Sequence, residues 1–138
     1  MTINAQTQAG IRFDAEAYAR GFDDWDIPAL LAYYADDVEL TMVTPDNPPG
    51  RPLTHRGKEP LRMMWGHAVS AGAKVSIRKA VVGDEAAAFT FDCEFPGNHV
   101  VVSNVLVDIA DGLIVRQHEV MVGAPVDAVA ASGEVAAP

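Results

Sequence analysis

Residues 85–122 read EAAAFTFDCEFPGNHVVVSNVLVDIADGLIVRQHEVMV, and this stretch decides the fold. Two groups of turn formers, Pro96-Gly97-Asn98 and Asp111-Gly112, divide it into three runs rich in β-branched and aromatic residues. An Asp-Gly pair between apolar runs is a strong hairpin signal. The reading is three strands, Glu85 to Phe95, His99 to Ala110 and Leu113 to Val122, joined by tight turns in an antiparallel meander. In the first, Phe89, Phe91, Cys93 and Phe95 point one way while Thr90, Asp92 and Glu94 point the other. The middle strand is apolar on both faces, with Val101, Val105 and Val107 on one and Val100, Val102 and Leu106 on the other. Such a strand needs cover on its back as well as its front. With no helix left to supply it, the expected cover is a second copy of the chain, a homodimer through the sheet.

Upstream of this stretch, Lys74 to Val82 reads as a further strand, turned into the next by Gly83-Asp84. A helix is predicted from Lys58 to Ala71, with Leu61, Met64, Trp65 and Ala68 on one face. Before it, Thr44 to Gly57 holds four prolines and two glycines and reads as a long irregular loop, a candidate lid. Val38 to Val43 alternates as the first strand. Two helices precede it. One carries Ile11, Ala15, Tyr18 and Phe22 in a stripe; the other is capped by Asp26, carries Ile27, Leu30, Leu31 and Tyr34, and ends at Ala35-Asp36-Asp37. Helices first and strands afterwards give an α+β class, with three N-terminal helices packed on a curved antiparallel sheet around one apolar pocket. The domain is expected over residues 11–123, with tails at 1–10 and 124–138.

Charge and cysteine content narrow the partners. Nineteen acidic residues against ten basic give a net charge of −9, the opposite of what a nucleic acid or an anionic membrane surface attracts. Cys93 is the single cysteine, so no intrachain disulfide can form. The first ten residues lack the basic and apolar regions of a signal peptide, and no run is long enough to span a bilayer. A soluble, cytoplasmic protein is expected.

Local phrases carry a family resemblance. Ala29-Leu30-Leu31-Ala32-Tyr33-Tyr34-Ala35-Asp36-Asp37-Val38, His55-Arg56-Gly57-Lys58-Glu59 and Asp111-Gly112-Leu113-Ile114-Val115-Arg116 occur in the order and spacing of the nuclear transport factor 2-like superfamily. The stretch Ala88 to Gly97 is similar to a strand of the ketosteroid isomerases. The resemblance covers roughly Phe13 to Gly123 and points to the SnoaL-like and ketosteroid isomerase-like branch. It implies a cone-shaped pocket between sheet and helices, and a dimer through the back of the sheet. One fold hosts many functions, so chemistry must be argued from the site.

By that resemblance, Tyr18 matches the tyrosine that hydrogen-bonds the substrate oxygen in ketosteroid isomerases. The isomerase base falls on Met42 and its protonated acid near Val105, so steroid isomerisation by that machinery is not expected. Glu119 matches the acidic residue that SnoaL-like cyclases use as acid/base on the last strand, sharing a face with Val115, Gln117 and Met121. The cyclases also use a histidine on a neighbouring strand, and His99, beside a turn, is the one histidine near that position. A pocket-facing glutamate would have a raised pKa suited to proton transfer, whereas an exposed or interface glutamate would not. His118 alternates away from Glu119, His55 lies in the loop, and His67 borders the apolar stripe of its helix. No spacing of histidines and carboxylates suggests a metal site. The expectation is a cofactor-independent acid/base enzyme of cyclase, isomerase, dehydratase or epoxide hydrolase type, acting on a small, mostly apolar molecule. Glu119 would be the acid/base and Tyr18 the orienting donor, with Met42, Met64, Trp65, Phe91, Cys93, Val105 and Gln117 lining the pocket. A non-catalytic ligand binder and a dimerising interaction module of the same fold are the alternatives.

Overall fold

The protein, a computed structural model, is described here over residues 13–125. Helix α1, Ala15–Asp23, is capped by Asp14, whose carboxylate accepts from the Ala17 amide at 3.0 Å. Helix α2, Ile27–Leu31, is capped in the same way by Asp26, which accepts from Ala29 at 3.2 Å. Between them Trp25 takes a positive φ of 52° and donates its indole N–H to the Ala73 carbonyl at 2.9 Å, tying the helix corner to the sheet side. The expected tails, and Ile11 of the first stripe, lie outside the described residues apart from Ala124 and Pro125.

Strand β1, Tyr34–Val43, begins four residues earlier than expected, at the cost of the second helix. Tyr34 falls at helical spacing from Ile27, yet it lies on the strand. Short helices gain little from propensity. Here tertiary hydrogen bonding wins: the Ile114 amide donates to the Tyr33 carbonyl at 2.8 Å, and Tyr34 pairs with Ile114.

The proline-rich segment is a long hairpin rather than an irregular loop throughout. Thr44 and Asn47 close a turn by mutual backbone hydrogen bonds of 3.0 Å. The chain then returns as strand β2, Leu53–Arg56, antiparallel to β1 from Glu39 opposite Arg56 to Met42 opposite Leu53. Helix α3, Glu59–Ser70, follows, then β3, Lys74–Val82, β4, Ala86–Phe95, β5, His99–Ala110, and β6, Leu113–Pro125.

The sheet order is β2-β1-β6-β5-β4-β3. Strands β3 to β6 form the expected antiparallel meander, but β1 runs parallel to β6, so the sheet is mixed. The reason is connectivity: β1 reaches β6 only after the whole intervening chain, and such a crossover imposes no hairpin reversal. Asp111 and Gly112, both at positive φ, form the two-residue turn between β5 and β6 that their sequence calls for.

The helices cover one face. Phe13, Tyr18, Phe22 and Leu30 pack against Phe89, Phe91, Val105 and Val107 in one buried cluster. Tyr18 is fully buried, with the rings of Phe13, Phe22 and Phe89 at 5.0, 5.2 and 5.6 Å. On the opposite face Leu106, Val120 and Val122 are more than half exposed.

Phe89 joins the helices to the centre of the sheet, so its loss opens a cavity where no neighbour can collapse freely. Phe89→Ala is expected to lower unfolding free energy by about 3–5 kcal/mol in urea denaturation, with the slope unchanged.

Candidate active site

Between α1, α3 and the inner face of the sheet lies a cavity of about 510 Å³. Its walls are mainly aromatic and aliphatic: Phe22, Trp25, Met64 and Trp65 from the helical side, Met42, Phe91, Cys93, Val101 and Met121 from the strands. Polar groups enter from Tyr18, Ser103, Gln117, Glu119, Thr44 and His67. Glu119 is the one carboxylate among the described residues lining it. A second cavity of about 540 Å³ adjoins the first between β1, β2 and α3, sharing Met42, Leu53, Met64, His67 and Gln117 with it. The single pocket expected from the sequence is therefore two adjoining spaces, with His55 and Glu59 on the second.

Sheet register places Glu119. Its cross-strand neighbours are Met42 on β1 and Val105 on β5, both without charge. These are the two positions at which the resemblance to isomerases would have put acids, so the carboxylate stands between them rather than at either. Glu119 is 5% exposed, and Ser103 and Gln117 beside it are each 4% exposed.

A chain of buried hydrogen bonds runs to this carboxylate. Tyr18 and Tyr34 hydroxyls lie 2.6 Å apart, Tyr34 Oη donates to Gln117 Oε1 at 2.7 Å, and Gln117 Nε2 donates to Glu119 Oε1 at 3.2 Å. Tyr34 has one proton and gives it to Gln117, so Tyr18 is the donor to Tyr34. The sequence reading made Tyr18 the donor to a ligand; in this arrangement its proton is already engaged. Tyr34, which does not line the cavity, was read as part of a helical stripe and missed as a polar link. Its only sequence signal is a tyrosine two residues before Asp36, at the junction of helix and strand.

Burial pushes the Glu119 carboxyl above its ordinary value of 4.5, against the opposing hydrogen bonds from Ser103 and Gln117. Desolvation likewise raises Tyr18 and Tyr34. Cys93 is pushed up to about 11, first by burial and then by the nearby negative charge of Glu119, so it is a thiol and a wall rather than a nucleophile.

The other expected residues separate clearly. Met42, Met64, Trp65, Phe91, Cys93 and Gln117 line the cavity. Val105 does not: it is 3% exposed and packed in the core, because the residue that opens onto the cavity from β5 at this level is Ser103. His99 starts β5 opposite Pro125 with its ring against Phe95, away from the cavity lining. His118 is exposed on the other face. His67 of α3 is the histidine that borders the cavity. Among the described residues no group of three or more His, Cys, Asp or Glu side chains could hold a metal ion.

The buried carboxyl has a consequence for stability. A group that binds its proton more tightly folded than unfolded contributes stability that is complete below its unfolded value and lost as pH rises through its folded value. Ionised Glu119 is thus a cost near neutrality that Glu119→Gln removes. Thermal unfolding should show the variant melting above the wild type at about pH 8, with the advantage shrinking as pH falls toward the unfolded carboxyl range.

The SnoaL-like domain family matches residues 15–117. No curated protein matches the sequence. Among solved structures, an NTF2-like protein of unknown function from Mesorhizobium loti superposes with a TM-score of 0.64 at 18% identity, covering 84% of this chain and 91% of that one. A candidate ketosteroid isomerase from Kribbella flavida superposes at 0.62 with 15% identity over 84% of this chain and 78% of its own. A candidate polyketide cyclase from Sinorhizobium meliloti superposes at 0.54 with 22% identity, over 74% and 88%. At these identities the likeness is one of fold. With the α+β architecture, the mixed six-stranded sheet and the family match over most of its length, the chain belongs to the SnoaL-like domain family and has the NTF2-like fold.

Proposed function

We propose that the protein is an acid/base enzyme acting on a small, mostly apolar molecule, with Glu119 as the group that takes and returns the proton. The observation that carries this reading is a lone carboxylate, buried among aromatic and thioether side chains, with its proton affinity raised by desolvation. Moving its pKa toward neutrality is what general acid/base catalysis asks of a carboxyl group. Ionised Glu119 removes a proton from carbon beside a carbonyl or leaving group. The neutral acid then returns it to another atom of the same ligand, so the carboxylate ends as it began and the cycle balances without an external redox partner. Isomerisation, cyclisation and dehydration all fit this scheme, and ring opening of an epoxide fits with water as the nucleophile.

A cavity of this size and lining suits one fused-ring or short-chain molecule with few polar atoms. The second reading is a non-catalytic binder of the same ligand class, favoured by the absence, among the described residues lining the cavity, of a second acid beside Glu119. Glu119→Gln separates the two. It should leave the fold intact and reduce turnover of an active substrate by about 100-fold or more, while binding persists. Unchanged turnover in that variant would sink the acid/base reading.

The cytoplasm suits a chain with one free thiol. A homodimer is part of the same proposal, supported by Leu106, Val120 and Val122 exposed together on the face the helices leave uncovered. Sedimentation at micromolar concentration should give twice the chain mass of 14.7 kDa. Val120→Glu should return the species to single mass, and a wild-type monomer would count against the interface.

A further inference from the structure

The buried chain has a direction. Tyr18 donates to Tyr34, Tyr34 donates to the Gln117 carbonyl, and the Gln117 amide donates to Glu119. Every donor points toward a group that, when ionised, can only accept. If the carboxyl oxygen facing Gln117 gains a proton, two donors confront each other across 3.2 Å. The relief is a half-turn of the Gln117 amide, which exchanges its oxygen and nitrogen. Glu119 then donates to the Gln117 oxygen, and the Gln117 nitrogen donates to Tyr34. Tyr34 in turn gives its proton to Tyr18, so the Tyr18 O–H is released from the chain. No O–H or N–H bond within the chain breaks; only torsions turn, and the single proton gained resides on Glu119.

We propose that Gln117 and Tyr34 are positioning residues that couple the charge of Glu119 to the hydrogen-bonding polarity of Tyr18. With Glu119 ionised, Tyr18 serves a ligand as an acceptor; with Glu119 protonated, it serves as a donor. The ligand class that gains from the switch is one whose carbonyl oxygen becomes an oxyanion as its C–H proton moves to Glu119: it calls for a donor most strongly at the step that releases the Tyr18 O–H. The donor becomes available at the step at which the oxyanion forms. This use in turnover rests on the acid/base reading above, whereas the coupling is a property of the unliganded protein. The titratable groups facing Glu119 are Tyr18 from α1, Tyr34 from β1, Cys93 from β4 and, across the cavity, His67 from α3. Ser103 from β5 and Gln117 from its own strand supply the neutral hydrogen bonds.

The test is a carbon-13 NMR titration of protein labelled at the glutamate carboxyl and the tyrosine Cζ, without ligand. In the wild type the Tyr18 Cζ resonance should move with the same midpoint as the Glu119 carboxyl. In Tyr34→Phe the chain is cut. The Tyr18 response should vanish, while the Glu119 carboxyl still titrates. A Tyr18 response that persists in Tyr34→Phe would mean that it feels the Glu119 charge through space, and the coupling is then overturned. A wild-type Tyr18 resonance that stays flat through the Glu119 midpoint overturns it as well. Gln117→Met cuts the chain from the other end and should abolish the Tyr18 response likewise, which keeps the test open should Tyr34→Phe fold poorly. Loss of turnover in Glu119→Gln reports on the acid/base reading alone, so either idea can fail without the other.

Discussion

A carboxylate buried without a cation is the constraint around which this molecule is arranged. Glu119 is almost fully enclosed, and among the described residues no lysine or arginine pairs with it. An isolated charge in such surroundings is costly, and a protein meets that cost by neutralising the group or by surrounding it with dipoles. Here both occur. Desolvation raises the proton affinity, while a serine hydroxyl and a glutamine amide hold part of it back. Ion pairs such as Arg78 with Asp92 and Arg116 with Asp108 lie elsewhere on the molecule, where solvent leaves each of them worth little. Charge that stabilises is kept outside, and charge that destabilises is kept in the cavity. A charge that costs stability in this way is what the proposed proton-transfer role asks of Glu119.

The hydrogen-bond chain accounts for the path of the N-terminal half. Tyr18 sits on α1 and Tyr34 opens β1, and their hydroxyl contact ties the helix to the sheet. Around them Phe13, Phe22, Phe89, Phe91 and Trp65 make edge-on and tilted ring contacts between 5.0 and 6.3 Å. Rings give shape without competing hydrogen bonds, so the polar atoms of the chain satisfy one another. No buried side-chain nitrogen or oxygen among the described residues lacks a partner. The polar network is complete, which is the condition under which it orders a core instead of weakening it.

Legibility in the sequence followed the range of the interactions. The four-stranded meander, its turns and α3 were readable, because period-two alternation and Asp-Gly or Pro-Gly-Asn turns are local signals. Strand β2 was not, since its four residues lie among prolines and exist as a strand only by pairing with β1. Parallel pairing of β1 with β6 was also hidden, because it joins segments some eighty residues apart. In the site, alternation alone put Glu119 and Gln117 on one face. The link from Tyr18 through Tyr34 to Gln117 spans sequence separations of 16 and 83 residues and has no local trace.

One irregularity in β6 decides whether there is a site at all. Ile114 is fully buried and faces the core, so strict alternation from it would turn Arg116, His118 and Val120 inward. The register with β5 instead shifts between Asp108 and Ile109, where Arg116 opposes Asp108 while Ile114 opposes Ile109. That leaves Val115 as the extra residue of a β-bulge, and beyond it the parity of the strand is reversed. Gln117, Glu119 and Met121 turn to the cavity, while Arg116 reaches the outer face and meets Asp108 at 2.8 Å. Without the bulge the cavity would receive a guanidinium and an imidazole, the acid would face away from it, and the tyrosine chain would have nothing to end on. The two-residue turn at Asp111-Gly112 fixes where the pairing starts, and the bulge fixes which side chains it delivers. The chemistry of the cavity is therefore set by one residue of register.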